Sequence, residues 1–88
     1  MLIEVIKSKY IKGNQIYLHF NNGDSGLVDL TKYTARSGVF EPLKDNNYFK
    51  KVRFSRNLGT ICWPNGADIA PESLYDEFLK QRKPMQLV

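Results

Sequence analysis

The stretch Gln15-Ile16-Tyr17-Leu18-His19-Phe20-Asn21-Asn22-Gly23-Asp24-Ser25-Gly26-Leu27-Val28-Asp29-Leu30 decides the fold of this chain. Ile16, Leu18 and Phe20 alternate with Tyr17 and His19, a period of two that turns one face of a strand toward a core. Asn21-Asn22-Gly23-Asp24 then breaks the pattern. Asn-Gly is the preferred pair for a two-residue hairpin turn, because both residues tolerate positive φ, so residues 26–30 return beside the first strand. Toward the amino terminus, Lys12-Gly13-Asn14 is a second turn signal, preceded by an apolar-rich run over residues 2–11. The three runs predict an antiparallel meander. In the first of them Ile3 and Val5 share one face and Leu2, Ile6 and Tyr10 the other, which predicts a strand covered on both sides.

Downstream, residues 30–36 predict a short helix ending at Ser37-Gly38, where glycine suits a left-handed position. Residues 39–43 read as a loop burying Phe40 and Leu43, and residues 45–50 as one helical turn capped by Asp45. Residues 51–55 and 60–63 flank the turn Arg56-Asn57-Leu58-Gly59 and predict a second hairpin, with Val52 and Phe54 on one face and Ile61 and Trp63 likewise. Pro64 ends that hairpin by removing a ladder donor. A last helix starts near Pro71, since proline fits the first helical position. Its apolar stripe is Leu74, Tyr75, Phe78 and Leu79. Lys80, Arg82 and Lys83 follow where a helix end favours positive charge, and Pro84 stops it. The expected fold is α+β: a mostly antiparallel sheet of about five strands packed by a carboxy-terminal helix, forming one domain over residues 1–83 with a tail over 84–88.

Composition agrees with that scale. An 88-residue chain holds one domain, and 42% hydrophobic residues can fill a single modest core. The single cysteine, Cys62, cannot form an internal disulfide, which a small secreted domain would normally need. Glu4 and Lys7 interrupt the first apolar run too early for a signal-peptide core. No stretch approaches the roughly 18 apolar residues of a membrane span. The expected location is therefore the cytoplasm, with no membrane partner.

The chemistry an enzyme needs is thin. His19 is the only histidine and lies on the strand face opposite Ile16, Leu18 and Phe20, where a surface or half-buried sheet residue is the simple explanation. Cys62 sits between Ile61 and Trp63, with no base nearby in sequence, and reads as a buried, inert thiol. One His and one Cys cannot supply a structural zinc site. The carboxylates are scattered, although Asp24, Asp29 and Asp68 could approach one another in space. No phosphate loop or nucleophile elbow is present. No catalysis, metal or cofactor is expected.

Residues 61–75 read Ile-Cys-Trp-Pro-Asn-Gly-Ala-Asp-Ile-Ala-Pro-Glu-Ser-Leu-Tyr. This segment resembles the signature of a bacterial family known as Domain of Unknown Function 2442, in which a strand reading W-P-N-G-A-D leads through an apolar residue and a proline to a helix opening with L-Y. Phe20 with Gly23, then Val28-Asp29-Leu30, is similar to that family's F-x-x-G hairpin and V-D-L run. Phe40-Glu41-Pro42-Leu43-Lys44-Asp45 resembles its F-x-P-L-x-D segment, and Phe49 with Val52 its F-x-x-V. The resemblance covers roughly residues 2–79 and implies no known activity or cofactor. Some longer relatives carry an appended helix-turn-helix domain, which implies transcriptional regulation. Only a short segment follows the helix stripe here, so a single-domain member is expected. Stand-alone relatives often belong to small gene pairs, which implies an antitoxin-like role. Ala70 stands where many relatives have a serine.

Two functional expectations follow. The first is a non-catalytic protein-binding module, antitoxin-like or regulatory, working with a small neighbouring gene product through the motif residues Trp63, Asn65, Asp68 and Tyr75. The same residues also have a mechanical reading as a structural corner. Such a module should show an apolar patch or a free sheet edge, and Pro84-Met85-Gln86-Leu87-Val88 is a candidate segment. The alternative is nucleic-acid binding through Lys50, Lys51, Arg53 and Arg56, in a chain of net charge +4. Lys7, Lys9 and Lys12 form another basic group, and Tyr10, Tyr17 and Tyr48 offer stacking faces. Lysines also blunt sheet edges, which explains them equally well. A homodimer is compatible with either expectation.

Overall fold

In a computed structural model, which describes residues 2–82, the middle strand runs as its alternation requires. Strand β1 spans Val5–Lys12, β2 Gln15–Phe20 and β3 Ser25–Asp29, and they form one antiparallel sheet in that order. Ile16, Leu18 and Phe20 are buried, while Tyr17 and His19 are half-buried on the other face. The β2–β3 connection differs from a two-residue turn. Gly23 has φ 95° but Asn22 does not enter positive φ, the Gly23 amide bonds to the Phe20 carbonyl, and the Phe20 amide bonds to the Asp24 carbonyl. This is a three-residue loop closed by a glycine bulge, a geometry that needs only one left-handed residue.

β1 is where the sequence expectation fails. Its register against β2 shifts between Val5 and Lys7 and again between Tyr10 and Lys12. Each shift inserts an extra residue and inverts the phase of the alternation. Val5, Ser8 and Tyr10 consequently lie opposite Phe20, Leu18 and Ile16 on the core face, and Ile6 is 54% exposed. The strand is covered on one side only.

The chain then forms two 3₁₀ segments, Thr31–Ala35 and Gly38–Lys44, where a helix and a loop were expected. Leu43 is buried and Phe40 only half-buried. The short helix α1 spans Asn46–Phe49, and the Asp45 carboxylate accepts from the Asn47 amide as its cap. Strands β4 (Arg53–Ser55) and β5 (Thr60–Cys62) form the second hairpin. The five strands thus divide into a three-stranded and a two-stranded sheet. They meet where the Val5 amide donates to the Gly59 carbonyl at 2.8 Å. Gly59 is fixed there twice over: its φ is 66°, and a Cβ would stand 3.1 Å from the Glu4 side chain.

Helix α2 spans Pro71–Gln81, with Pro71 in its first turn and no side-chain cap from Ala70. It packs on the core face of the meander. Leu74 and Phe78 are buried, and a Cβ on Gly26 of β3 would meet Phe78 Cε1 at 2.7 Å. The stripe is shifted from the one expected: Leu79 is exposed, and Glu77 is buried in its place. Lys32 explains that exchange. Its Nζ donates to Glu77 Oε2, while Gln81 Nε2 donates to Glu77 Oε1 at 3.1 Å.

The Lys32 ammonium holds the Glu77 carboxyl below its usual 4.5, and Glu77 raises Lys32 in turn. A carboxyl whose folded value is depressed stabilises the fold fully above about pH 4.5, and this contribution is lost as pH falls through the folded value. Glu77→Gln should cost about 1–2 kcal/mol at pH 7, because half-exposed Lys32 recovers some hydration. Urea midpoints of wild type and variant should converge as pH falls below 4.5 and through the folded value; a constant gap between them would remove the ion pair as the cause.

Two side-chain amides act as surrogate strands. Gln81 accepts from the Asp29 amide at 2.7 Å and donates to the Asp29 carbonyl at 2.9 Å, closing the outer edge of β3. Asn21 accepts from the Glu4 amide and donates to the Leu2 carbonyl, holding residues 2–4 beside the first hairpin. Gln81→Ala should therefore accelerate hydrogen exchange at Asp29 selectively and cost about 1 kcal/mol. Unchanged exchange at that amide would show the edge to be protected otherwise.

The core gathers around Trp63, which is 2% exposed and donates from Nε1 to the Phe49 carbonyl at 3.0 Å. Residues 84–88, expected as a tail and a candidate docking segment, lie outside the described residues.

Candidate functional site

Turn chemistry consumes the W-P-N-G-A-D corner. Trp63 is buried beside Phe49, their ring centroids 5.5 Å apart, and presents no surface to a partner. Asn65 is exposed, yet Nδ2 donates to the Val39 carbonyl, Oδ1 accepts from the Ala67 amide, and its own amide donates to the Tyr48 hydroxyl. These bonds tie the corner to the 3₁₀ segment and to α1. Asp68 is exposed, and its backbone bridges to Cys62.

Tyr75 serves a different place. Its hydroxyl donates to Asp24 Oδ2 at 2.6 Å and accepts from Asn22 Nδ2 at 3.0 Å, pinning α2 to the β2–β3 loop. The bond to Asp24 raises the phenol above its ordinary value of 10.0. Asn65 and Tyr75 share no hydrogen-bond partner, so Tyr75 belongs to a joint separate from the corner that holds Trp63, Asn65 and Asp68.

Cys62, expected buried, is a free thiol that is half-buried, because Ile61 and Trp63 on either side of it turn to the core. Among the described residues no three of His, Cys, Asp and Glu gather as metal ligands, so Asp24, Asp29 and Asp68 do not form such a cluster. The described residues enclose no pocket.

Lys50, Lys51, Arg53 and Arg56 are all exposed along the end of α1, β4 and its turn, and none makes an ion pair among the described residues. Lys51 Nζ stands 5.7 Å from the Tyr48 ring centroid. These cations follow a path along the chain and carry no grouped stacking surface beyond Tyr48.

A more concentrated surface is the outer face of the meander, which α2 leaves uncovered. Its pairing sets three rows across the strands: Lys7, His19 and Ser25; Lys9, Tyr17 and Leu27; Lys12, Gln15 and Asp29. The Tyr17 and His19 rings lie 5.3 Å apart at 55°, and the Tyr17 hydroxyl is 3.4 Å from Ser25 Oγ. Ile6 and Ile11, the extra residues at the two register shifts, and Leu27 are each more than 40% exposed. Three cations line one side. The only carboxylate in the rows, Asp29, accepts from the Thr31 amide at the opposite corner.

Sequence reasoning grouped Lys7 and Lys9 with Lys12, and Tyr17 with His19, and missed that the two groups share a face. In an unbroken strand Lys7 and Lys9 would fall on the Val5 side, and only the bulge at Ile6 turns them to the Tyr17 side.

No curated protein and no solved structure matches this chain. A family model described as "Protein of unknown function (DUF2442)" matches residues 5–80. That match spans both sheets and nearly all of α2, and the chain belongs to this family.

Proposed function

We propose that this domain is a non-catalytic binding module, that its working surface is the outer face of the β1–β2–β3 sheet, and that its partner is a protein. One observation carries the reading. Of the seven large apolar side chains exposed among the described residues, Ile6, Ile11 and Leu27 belong to this one small sheet. Clustered exposed apolar groups rimmed by polar ones mark interaction surfaces. Strand addition is disfavoured as the mode of contact. Three lysines and two bulges guard the β1 edge, and Gln81 occupies the Asp29 end of the β3 edge. The antitoxin-like form of this reading makes the partner a small neighbouring gene product.

The test compares tagged wild type with Leu27→Asp in extracts of the native cell, washed at low and then high salt. A stoichiometric protein held by wild type through the high-salt wash and lost by the variant is the expected result. It should then bind the purified domain with the same dependence on Leu27. Nucleic acid eluting at high salt without such a protein would sink the reading and promote Lys50, Lys51, Arg53 and Arg56. Equal retention by both baits would move the contact to another surface.

A further inference from the structure

We infer that the element of the partner that docks on the outer sheet face is an acidic amphipathic helix; this rests on the binding-module reading above and adds the chemistry of the occupant. The shape of the face comes first. Strands lie about 4.8 Å apart, so β1 and β3 are separated by about 10 Å, close to the diameter of one helix. β1 has 8 residues, or about 26 Å of strand, which accommodates a helix of about 15 residues. The core face of the same sheet already carries one helix, with Phe78 seated on Gly26. The outer face offers a similar bed, with Leu27, Ile6 and Ile11 as its apolar contacts.

Charge then selects the helix. Lys7 and Lys9 point the same way about 7 Å apart, with Lys12 further along the same strand. Carboxylates at positions i and i+4 of a helix stand about 6 Å apart, so one acidic flank can face Lys7 and Lys9 together. A second copy of this chain meets the condition poorly. Docked face to face, it would bring three more lysines and a single carboxylate, Asp29, that is already engaged, and its α2, with exposed Glu72 and Asp76, is shorter than the bed at 11 residues. Single-stranded nucleic acid fits the lysines but not the rest. Tyr17 and His19 are half-buried and tilted against one another, and the more open groups are aliphatic side chains with no ring face for a base.

The inference is tested by amide chemical-shift mapping on the whole ¹⁵N-labelled chain. The probes are a 15-residue helical peptide with a leucine stripe and glutamate flanks, the same peptide with glutamine for glutamate, and a 15-nucleotide deoxythymidine strand. The glutamate peptide should shift amides over residues 6–11 together with Tyr17, His19 and Leu27. The glutamine peptide should bind at least tenfold more weakly. The Lys7→Glu/Lys9→Glu variant should lose the glutamate peptide while keeping the wild-type spectrum elsewhere, since both side chains are exposed.

Equal binding of the two peptides would overturn the acidic requirement and leave the binding surface standing. Tighter binding of the deoxythymidine strand to the same amides would overturn both readings. A face unmoved by either peptide would overturn the helix inference alone, the binding-module reading being decided by the Leu27→Asp capture.

Discussion

Trp63→Ala is expected to cost about 4–6 kcal/mol, the largest loss from any single truncation in this core. Deleting a buried tryptophan side chain costs about 3–5 kcal/mol through lost transfer energy and the cavity left behind. Here the deletion also removes the hydrogen bond from Trp63 Nε1 to the Phe49 carbonyl at 3.0 Å, worth about 0.5–1.5 kcal/mol, while the Val52 amide still donates to that carbonyl at 3.1 Å. A chain of 88 residues has a total stability of about 4–13 kcal/mol, so this one change removes at least about a third of it. Far-UV circular dichroism with urea titration measures the effect, since the variant loses the only tryptophan. Trp63→Phe separates the two terms: it refills much of the volume and removes only the hydrogen bond, for about 1–2 kcal/mol. A Trp63→Ala protein that stays cooperatively folded within 2 kcal/mol of wild type would show that Trp63 is not the centre of the core.

The second large effect is at Gly26. Valine is a favourable strand residue, worth up to about 1 kcal/mol over glycine on propensity alone. The structure reverses that expectation, because even the first carbon of a side chain would stand 2.7 Å from Phe78 Cε1. Phe78 is itself 2% exposed and packed against Phe20, ring centroids 5.4 Å apart, so it has little room to withdraw. Overpacking of this kind costs about 1–3 kcal/mol, and Gly26→Val should fall at the upper end. The double variant Gly26→Ala/Phe78→Leu should cost about 1 kcal/mol less than the sum of its parts, because the shorter side chain makes room for the new methyl. Additive costs, or a Gly26→Val protein as stable as wild type, would mean that the ring is not seated on this glycine.

Gly26 illustrates what a sequence conceals. As a residue between Ser25 and Leu27 it reads as a weak point in a strand, and only the position of Phe78, 52 residues later, makes it a requirement. Glu77 behaves the same way. Within its helix the apolar period calls for Leu79, yet Glu77 takes the buried position because Lys32 reaches it from a 3₁₀ segment 45 residues away. The motif corner carried the opposite lesson. Its composition was legible both as turn chemistry and as a site, and the bonds from Asn65 to Val39, Ala67 and Tyr48 give the turn its physical content.

The features that the sequence by itself determined are those with local causes. The alternation Ile16, Leu18, Phe20 set β2 and its core face, the glycine-bearing turns set the three hairpins, Asp45 capped α1, and Pro71 opened α2. Each depends on interactions within a few residues, where the backbone's preferences are read directly from side-chain type. Tertiary structure alone decided the division of five strands into two sheets, the two bulges of β1, and the burial of Glu77. A bulge without glycine, such as those at Ile6 and Ile11, has no sequence signal of its own, since it forms where the register on a neighbouring strand demands an extra residue. That single insertion at Ile6 moves Lys7 and Lys9 from the core side of β1 to the side of Tyr17 and His19, and the proposed binding face exists only because of it.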